Sequence, residues 1–313
     1  MILCSGENLI DIIPTTNSTD YYKACVGGSP LNTAIGLGIL KNSVYFFSRI
    51  SNDFFGEKII NFLHKNNVKT SLVQRSGDPT TIGFIGKKKN PDFSFYANKT
   101  ADRNLKKYNF SKSIKNKIIL AHFSSISLVL KPGSETYFKI MKDLKKDSLI
   151  SIDPNIRPSL IKNKNNFKKR FNHFLKITDL MKLSEEDFRY IDNKNKPDKI
   201  IPKWINKNKI IFIIYTMGKN GSVLYTNKFK INIKAYKVKE LDTVGAGDIY
   251  QAGMLSYLNK KGILNKNDLN NMSKEDWMNC LNFASKAAAI NCMREGCNPP
   301  TLNEINNFKE IQK

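Results

Sequence analysis

Short apolar segments alternate along most of this 313-residue chain with longer segments whose apolar residues have helical spacing. The strand-like segments cover residues 2–13, 44–50, 118–123, 149–153, 180–183 and 210–215, and the helical ones 33–40, 53–66, 135–144, 167–175, 185–190, 249–258 and finally 277–292. This alternation is typical of a parallel sheet, because consecutive parallel strands need a crossover. We therefore predict one α/β domain over 1–313, with a doubly wound, mainly parallel sheet and helices on both faces.

Residues 70–97 depart from this alternation. Short strands are predicted at 71–73, 81–85 and 93–96, joined by turn-rich pieces that include 88–92. Successive strands without helical crossovers indicate antiparallel pairing. We predict a small β-strand lid beside the main sheet, formed by residues near 12–25 and 70–100.

The composition narrows the possible functions. Hydrophobic residues make up 41% of the chain, which is enough for an ordinary core, and the formal net charge is +24. The lysines are scattered and mixed with asparagine, as in 163–166 and 206–209, so we do not expect a nucleic-acid groove. The basic stretch 193–209 is expected to be a solvated surface excursion.

The cysteines and the first residues indicate a compartment. Five cysteines form no CxxC pair, and their odd number argues against a disulfide framework as well as a zinc site. The chain begins without the basic region of a signal peptide, and no apolar run is long enough to span a membrane. We predict a cytoplasmic protein with neither a membrane nor a nucleic acid as partner.

Two glycine turns, one early and one late, precede helical segments. The late turn, 242–248, has the sequence DTVGAGD, in which Gly245 and Gly247 flank Ala246. Glycines let the backbone bring N–H groups close to a ligand, and a helix N-terminus attracts anions. Asp248 then has two interpretations: a helix N-cap, or a base beside a bound phosphate.

Polar residues suited to binding follow nearly every apolar run. They are Asp11 and the stretches 27–32, 124–125, 153–157, 184–186, 216–221 and 242–248. Ligands of open α/β sheets bind beyond the carboxyl ends of the strands, so this placement predicts a single site. The chain has neither a GxxxxGK[ST] loop nor a GxGxxG fingerprint, which argues against P-loop ATPases and Rossmann dehydrogenases.

Both glycine turns resemble signatures of the ribokinase-like (PfkB) carbohydrate kinases. The sequence GGSPLN at 27–32 is similar to the first signature and DTVGAGD at 242–248 to the second. DPNIRP at 153–158 and TADR at 100–103 resemble the fructokinase branch. The resemblance extends over almost the whole chain, and it implies a ribokinase-like fold and ATP-dependent phosphoryl transfer to a sugar hydroxyl.

The resemblance implies roles for the turn and for the sugar side. Asp248 would be the general base for the sugar hydroxyl, and the N–H groups of Gly245, Ala246 and Gly247 would form an anion hole for the transferring phosphoryl group. The implied sugar-binding residues are Asp11, Gly28, Asn32, Phe95, Arg103 and Arg157. Taken singly, these residues also suit turns, caps, a surface ion pair or lid packing.

ATP and Mg²⁺ are the implied cofactors, with K⁺ as a further ion. The implied nucleotide-binding residues are Thr216, Gly218, Gly221 and Ser285, although a generic β-turn explains the first three equally. Glu185 would act on Mg²⁺ through water, since Mg²⁺ keeps several of its waters. The monovalent ion would take oxygens, mostly backbone carbonyls, from Asp242, Val244, Arg294 and Gly296.

Three departures from the family pattern bear on the substrate. Lys182 stands where ribokinases have Asn, Ala97 where an Arg often ends the lid motif, and Ser285 where Asn commonly meets the nucleotide. Fructose is the leading substrate, with 2-keto-3-deoxygluconate and an aminoimidazole riboside as alternatives. A sugar-binding regulator without turnover is the non-enzyme alternative. Because exposed strand edges tend to be covered, we also predict a homodimer through the lid.

Overall fold

In the computed structural model, residues 1–15, 21–86 and 93–310 are described, and strands alternate with helices along most of them. The strands are β1 (Ile2–Ser5), β2 (Leu9–Pro14), β3 (Tyr22–Gly27), β4 (Val44–Phe47), β5 (Arg49–Ser51), β6 (Gln74–Ser76), β7 (Thr81–Ile85), β8 (Phe93–Tyr96), β9 (Leu120–Ser124), β10 (Leu149–Asp153), β11 (Leu180–Ser184), β12 (Phe212–Thr216), β13 (Ser222–Thr226) and β14 (Lys230–Ile233). The helices are α1 (Ser29–Ile39), α2 (Phe54–Lys65), α3 (Lys112–Lys115), α4 (Gly133–Leu144), α5 (Lys164–Leu175), α6 (Glu185–Ile191), α7 (Pro197–Asn208), α8 (Ala246–Lys260), α9 (Lys266–Asn271), α10 (Lys274–Cys292) and α11 (Leu302–Asn306).

An eight-stranded sheet with the order β14-β13-β12-β11-β10-β9-β1-β4 is the centre of the fold. Six strands of this sheet run parallel, namely β4, β1, β9, β10, β11 and β12. β13 and β14 continue the sheet antiparallel. Successive side chains of a strand point to opposite faces, and each face is covered by helices. Leu31, Leu255 and Leu281 of α1, α8 and α10 pack on one face, and Tyr137 and Phe188 of α4 and α6 belong to the cores on the other. The predicted doubly wound α/β fold is confirmed.

A second sheet of four strands, in the order β3-β2-β7-β8, lies beside the first. The prediction of a single strand over 2–13 is wrong. The segment breaks at Gly6 (φ 151°), and its second half leaves the main sheet. The second sheet uses part of the range predicted as a lid, whereas β6, from the same range, pairs with β5 instead. Residues 16–20 and 87–92 of the predicted lid, with its turn at 88–92, lie outside the described residues.

Further predictions along the chain are wrong. The strand predicted at 44–50 is divided into β4 and β5, which belong to different sheets, and residues 71–73 do not form a strand. The stretch 193–209 is not a solvated excursion, because α7 occupies most of it and buries Ile201 and Ile205, four residues apart on one face of the helix. The helix predicted at 277–292 is α10, but it is not the last, since α11 follows it. None of the helices within the described ranges has the length and apolar composition to cross a membrane.

The close packing of α1 on α8 sets the geometry of the site. A Cβ added at Gly36 would lie 2.7 Å from the Cβ of Ala252, so a larger residue would push the two helices apart. One turn earlier in each helix are Asn32 and Asp248, which the same approach brings together. Both helices begin at the edge of the sheet where the parallel strands end.

Candidate functional site

Two neighbouring cavities open at the carboxyl edge of the parallel strands. The larger has a volume of about 700 Å³ and the smaller about 400 Å³. Both linings include Thr216, Gly218, Thr243, Ala246 and Gly247, so the cavities meet along β12 and the late glycine turn. The arrangement can hold two ligands with their ends against the same turn.

The glycine turn opens into α8. Gly245 is the N-cap residue with φ 73°, a left-handed conformation, and a Cβ there would lie 2.6 Å from the Sγ of Cys297. Only glycine fits this position without strain. The N–H of Ala246 donates to the carbonyl of Thr243 at 3.1 Å, whereas for the N–H groups of Gly245 and Gly247 the described residues supply no acceptor. The N–H groups that are open to an anion in this structure are therefore those of the two glycines, and the contribution of Ala246 stays a prediction.

Asp248 lies in the first turn of α8 and faces α1. Its Oδ1 accepts a hydrogen bond from Ser29 Oγ at 2.7 Å, and its Oδ2 accepts one from Asn32 Nδ2 at 2.9 Å. Ser124 Oγ in turn donates to Ser29 Oγ at 2.9 Å. The N-cap interpretation is excluded, because Gly245 holds that position. Burial raises the pKa of Asp248, while the bonds from Ser29 and Asn32 oppose the rise.

The lining of the smaller cavity also combines a carboxylate, an aromatic ring and a guanidinium. Asp11 on β2, Phe95 on β8 and Arg157 after β10 line the smaller cavity, together with Gly28 and Asn32. Arg157 Nη1 donates to Asn155 Oδ1 at 2.6 Å, which holds its side chain along the loop. Burial raises the pKa of Asp11 to about 7, with Arg157 opposing the shift. The lining offers a polyol several hydrogen-bond acceptors and donors.

The pKa of Asp11 predicts that sugar binding depends on pH. A neutral carboxyl is a weaker acceptor than a carboxylate, so we expect the affinity for sugar to increase about tenfold from pH 6 to pH 8. Calorimetric titration without nucleotide measures this, and Asp11→Asn should bind weakly with no such dependence. A wild-type Kd that stays constant over this range would contradict the prediction.

The raised pKa of Asp11 also affects the stability of the unliganded protein. This stability falls as the pH rises, whereas the affinity for sugar is expected to increase. The folded-state pKa of Asp11 is raised from 3.8 to about 7, so its stabilising contribution is complete below pH 3.8 and is lost as the pH rises through about 7.

Five residues predicted for the site are not part of either cavity lining, namely Arg103, Glu185, Asp242, Arg294 and Gly296. The lid-side Arg103 donates from Nε to the carbonyl of Lys131 and from Nη1 to that of Ala97, so it joins two backbone segments. Glu185 pairs with Arg189 one turn along α6 at 2.7 Å, and the next residue, Glu186, lines the smaller cavity instead. The reason is the helix itself: consecutive residues point about 100° apart.

The larger cavity contains the residues predicted for a nucleotide. Thr216, Gly218, Gly221 and Ser285 all line it, from the β12–β13 turn on one side and α10 on the other. Its remaining walls are mainly aliphatic stems and small residues, among them Ala288 and Ala289. A cavity of this size and composition suits an adenine nucleotide.

Asp242 organises the loop where a monovalent ion was predicted. Its Oδ1 accepts from Val244 N at 3.0 Å and its Oδ2 from Gly296 N at 2.8 Å. The carbonyl of Val244 accepts from Asn291 Nδ2 at 2.9 Å. The guanidinium of Arg294 turns away, to Glu304 and the carbonyls of Asn298 and Pro299. Asp242, Val244 and Gly296 are thus close together, and the side chain of Arg294 is engaged elsewhere.

Sequence reasoning missed several polar residues of the smaller cavity. Ser29, Ser125 and Glu186 lie in the strand-end stretches, and Lys182 was noted only as a departure from a family pattern. A lysine at a position that alternates with buried Met181 and Leu183 was a signal for a buried charge.

Comparisons with known proteins point to one family and one fold. The family model described as pfkB family carbohydrate kinase matches residues 1–304. A fructokinase of Rhizobium leguminosarum bv. trifolii is 33% identical over 279 residues, which are 88% of this chain and 85% of that protein. A probable chloroplastic fructokinase-6 of Arabidopsis thaliana is 30% identical over 97% of this chain and 81% of its own length. The crystal structure of an ATP-bound fructokinase from Xylella fastidiosa superimposes with a TM-score of 0.90 and 25% identity, covering 97% of this chain and 96% of that one.

Proposed function

Since the chain belongs to the PfkB family of carbohydrate kinases, we propose that its substrates are ATP and fructose, and that fructose is phosphorylated on a terminal hydroxyl. Similarity to proteins named fructokinase supports the sugar: one is 33% identical, and the structure of another, with bound ATP, superimposes at 25% identity. On this proposal, the sugar occupies the smaller cavity and ATP the larger one.

The observation that carries the proposal is the position of Asp248 between the two cavities. The carboxylate belongs to the lining of the smaller cavity only, while Ala246 and Gly247, directly before it in the glycine turn, belong to both linings. A hydroxyl bound in the smaller cavity would therefore face both a carboxylate and the phosphate-binding turn. Phosphoryl transfer needs this juxtaposition, because its catalysis is mainly positioning and electrostatic stabilisation.

In this mechanism Asp248 accepts the proton of the attacking hydroxyl. Ser29 and Asn32 hold the carboxylate in place, and both bonds favour its ionised form. The backbone N–H groups of Gly245 and Gly247 stabilise charge on the transferring phosphoryl group, aided by the positive end of α8. The sugar is oriented by Asp11, Asn32 and Arg157, so these residues select which hydroxyl reaches Asp248.

The cavity also suits Mg²⁺ bound to ATP. Glu186 presents a carboxylate in the lining, and hard oxygen ligands through retained waters are what Mg²⁺ prefers. Glu186 replaces Glu185 in this role, since Glu185 pairs with Arg189. Bound Mg²⁺ would supply charge neutralisation for the phosphates. A K⁺ ion near Asp242, Val244 and Gly296 is proposed as well, and a lower turnover rate in Na⁺ or tetramethylammonium buffer would support it.

The proposal is tested by ADP formation with a panel of acceptors. We expect fructose to give the highest kcat/KM, ahead of 2-keto-3-deoxygluconate and an aminoimidazole riboside. A better rate with either of these would change the substrate but leave the reaction standing. If no acceptor stimulated ADP formation while one bound tightly, the regulator interpretation would replace the kinase.

We also propose that two protomers pair through the second sheet. Tyr22, Phe84 and Tyr96 are 53%, 40% and 66% exposed, and they form an aromatic cluster with edge-to-face contacts. Exposed apolar patches of this kind mark interaction surfaces, and β3 and β8 are the outer strands of this sheet in the part of the chain that the structure describes.

The aromatic cluster gives a specific test of the dimer. Light scattering after size exclusion should give the wild-type protein about twice the 35.7 kDa mass of one chain. Phe84→Glu should give a monomer, because a buried unpaired carboxylate opposes association. Met278→Glu, at an exposed residue of α10, is the matched control and should stay dimeric. A monomeric wild type, or a dimeric Phe84→Glu variant, would refute the proposal.

A further inference from the structure

A buried ion pair lies directly behind the glycine turn. Lys182 Nζ on β11 is 2.8 Å from Asp153 Oδ2 on β10, and the two side chains are 4% and 1% exposed. A Cβ added to Gly247 would lie 3.2 Å from Lys182 Nζ. The ammonium therefore lies against the part of the turn where the transferring phosphoryl group would be bound.

The hydrogen bonding of this pair is incomplete. Asp153 is the acceptor that the described residues provide for Lys182 Nζ, although an ammonium carries three donors. The second oxygen of Asp153 has no partner in the described part of the chain, although it is buried. Buried ion pairs contribute to stability when their remaining hydrogen bonds are satisfied, which is not so here. Fold stability alone does not account for this lysine.

The charge of the cavity gives the lysine a role. Its lining contains the acidic residues Glu7, Asp11, Glu186, Asp187 and Asp248, and the cationic side chains that the structure describes there are Arg157 and Lys182. Burial raises the pKa of Glu7 to about 8 and that of Asp11 to about 7, so these two are partly neutral near pH 7, and the ionised carboxylates among the five repel an incoming phosphate. The neighbouring carboxylates, Asp153 first, raise the pKa of Lys182 against the effect of burial, so the ammonium stays charged.

We propose that Lys182 is a catalytic residue of this chain, whose ammonium contacts the transferring phosphoryl group beside Gly247 while Asp153 holds it in position. This inference rests on the proposed kinase function. The lysine remains protonated throughout, and its charge offsets the charge that spreads over the phosphoryl oxygens in the transition state. The ammonium stabilises bound ATP in its ground state less than it stabilises the transition state.

A pair of variants separates this role from a structural one. Asp153→Asn keeps the lysine, whose pKa Asp248 and Asp187 still raise, whereas Asp153→Asn/Lys182→Met removes both charges at nearly constant volume and leaves no unpaired ion. We expect the double variant to have a kcat about 100-fold lower than Asp153→Asn, with the KM for ATP little changed. Circular dichroism and thermal melting establish that both variants are folded.

Equilibrium binding gives a second readout that a structural role would not change. With fructose and Mg²⁺ present, aluminium fluoride should tighten ADP binding to wild type and Asp153→Asn, and this gain should be lost in the double variant while binding of ADP alone is kept. Equal kcat and equal aluminium fluoride gain in two folded variants would overturn the assignment of Lys182. Wild-type protein without sugar-dependent ADP formation would instead overturn the kinase function, and the inference with it.

Discussion

Replacing Asp248 with asparagine should lower kcat about 1,000-fold while the protein stays folded and still binds sugar and ATP. The expected size follows from the loss of a positioned general base, which contributes about 10²–10⁴-fold in enzymes. Asparagine keeps an acceptor for Ser29 and nearly the same shape, so the contacts with α1 largely persist. The variant therefore separates the loss of proton transfer from any loss of structure. Steady-state kinetics measure kcat, and calorimetric titration measures the binding of sugar and ATP.

Asp179→Asn is the matched control for this variant. Asp179 is also a buried carboxylate, paired with Lys145 and accepting from Ile150 N at 2.9 Å. It directly precedes β11, at the amino edge of the sheet and so opposite the cavities. Its substitution should lower the stability and leave kcat within about threefold. If Asp248→Asn lost no more activity than Asp179→Asn, the base would have to be another group.

Gly245→Ala should abolish most activity and reduce the stability of the protein. A non-glycine residue at φ 73° costs about 1–2 kcal/mol. The added Cβ would also meet the Sγ and Cβ of Cys297 at 2.6 and 2.8 Å, so the turn must shift away from the N-terminus of α8. A displaced N–H group no longer stabilises the phosphoryl group, and we expect kcat to fall at least 100-fold.

Gly77→Ala controls for the loss of a glycine as such. A Cβ at Gly77 would meet no atom within 4 Å, and its φ lies outside the left-handed range. This variant should match the wild type in both kcat and thermal midpoint, while Gly245→Ala should melt several degrees lower. A Gly245→Ala protein with normal kinetics would show that the turn tolerates a side chain and is not a close-fitting anion site.

The architecture was largely predictable because its signals are local. Apolar strands such as β10 and β12 are short, uninterrupted and separated by amphipathic helices, so the parallel sheet follows from their order. The break at Gly6 was not predictable from hydrophobicity, since both halves of 2–13 have strand-like composition and only the tertiary structure assigns them to different sheets. In α7, the many lysines concealed a narrow apolar stripe at Ile201 and Ile205.

Only those site residues that lie in recognisable sequence turns could be predicted. The two glycine signatures indicated Asp248 and Asn32, but not that these side chains would bond each other across α1 and α8. The assignment of Glu185 rested on the family resemblance, and the ion pair with Arg189 shows that a helix face decides which of two adjacent carboxylates enters a cavity. Arg103 could not have been assigned, because its partners are backbone carbonyls of distant segments.

The most direct test of the account is product analysis by ³¹P NMR with ATP, Mg²⁺ and fructose. A carbohydrate kinase whose buried Asp248 directs the hydroxyl to the γ-phosphoryl group should form one fructose phosphate, esterified at a terminal hydroxyl, for each ADP. The appearance of inorganic phosphate in place of a sugar phosphate, at any rate of ADP formation, would contradict it.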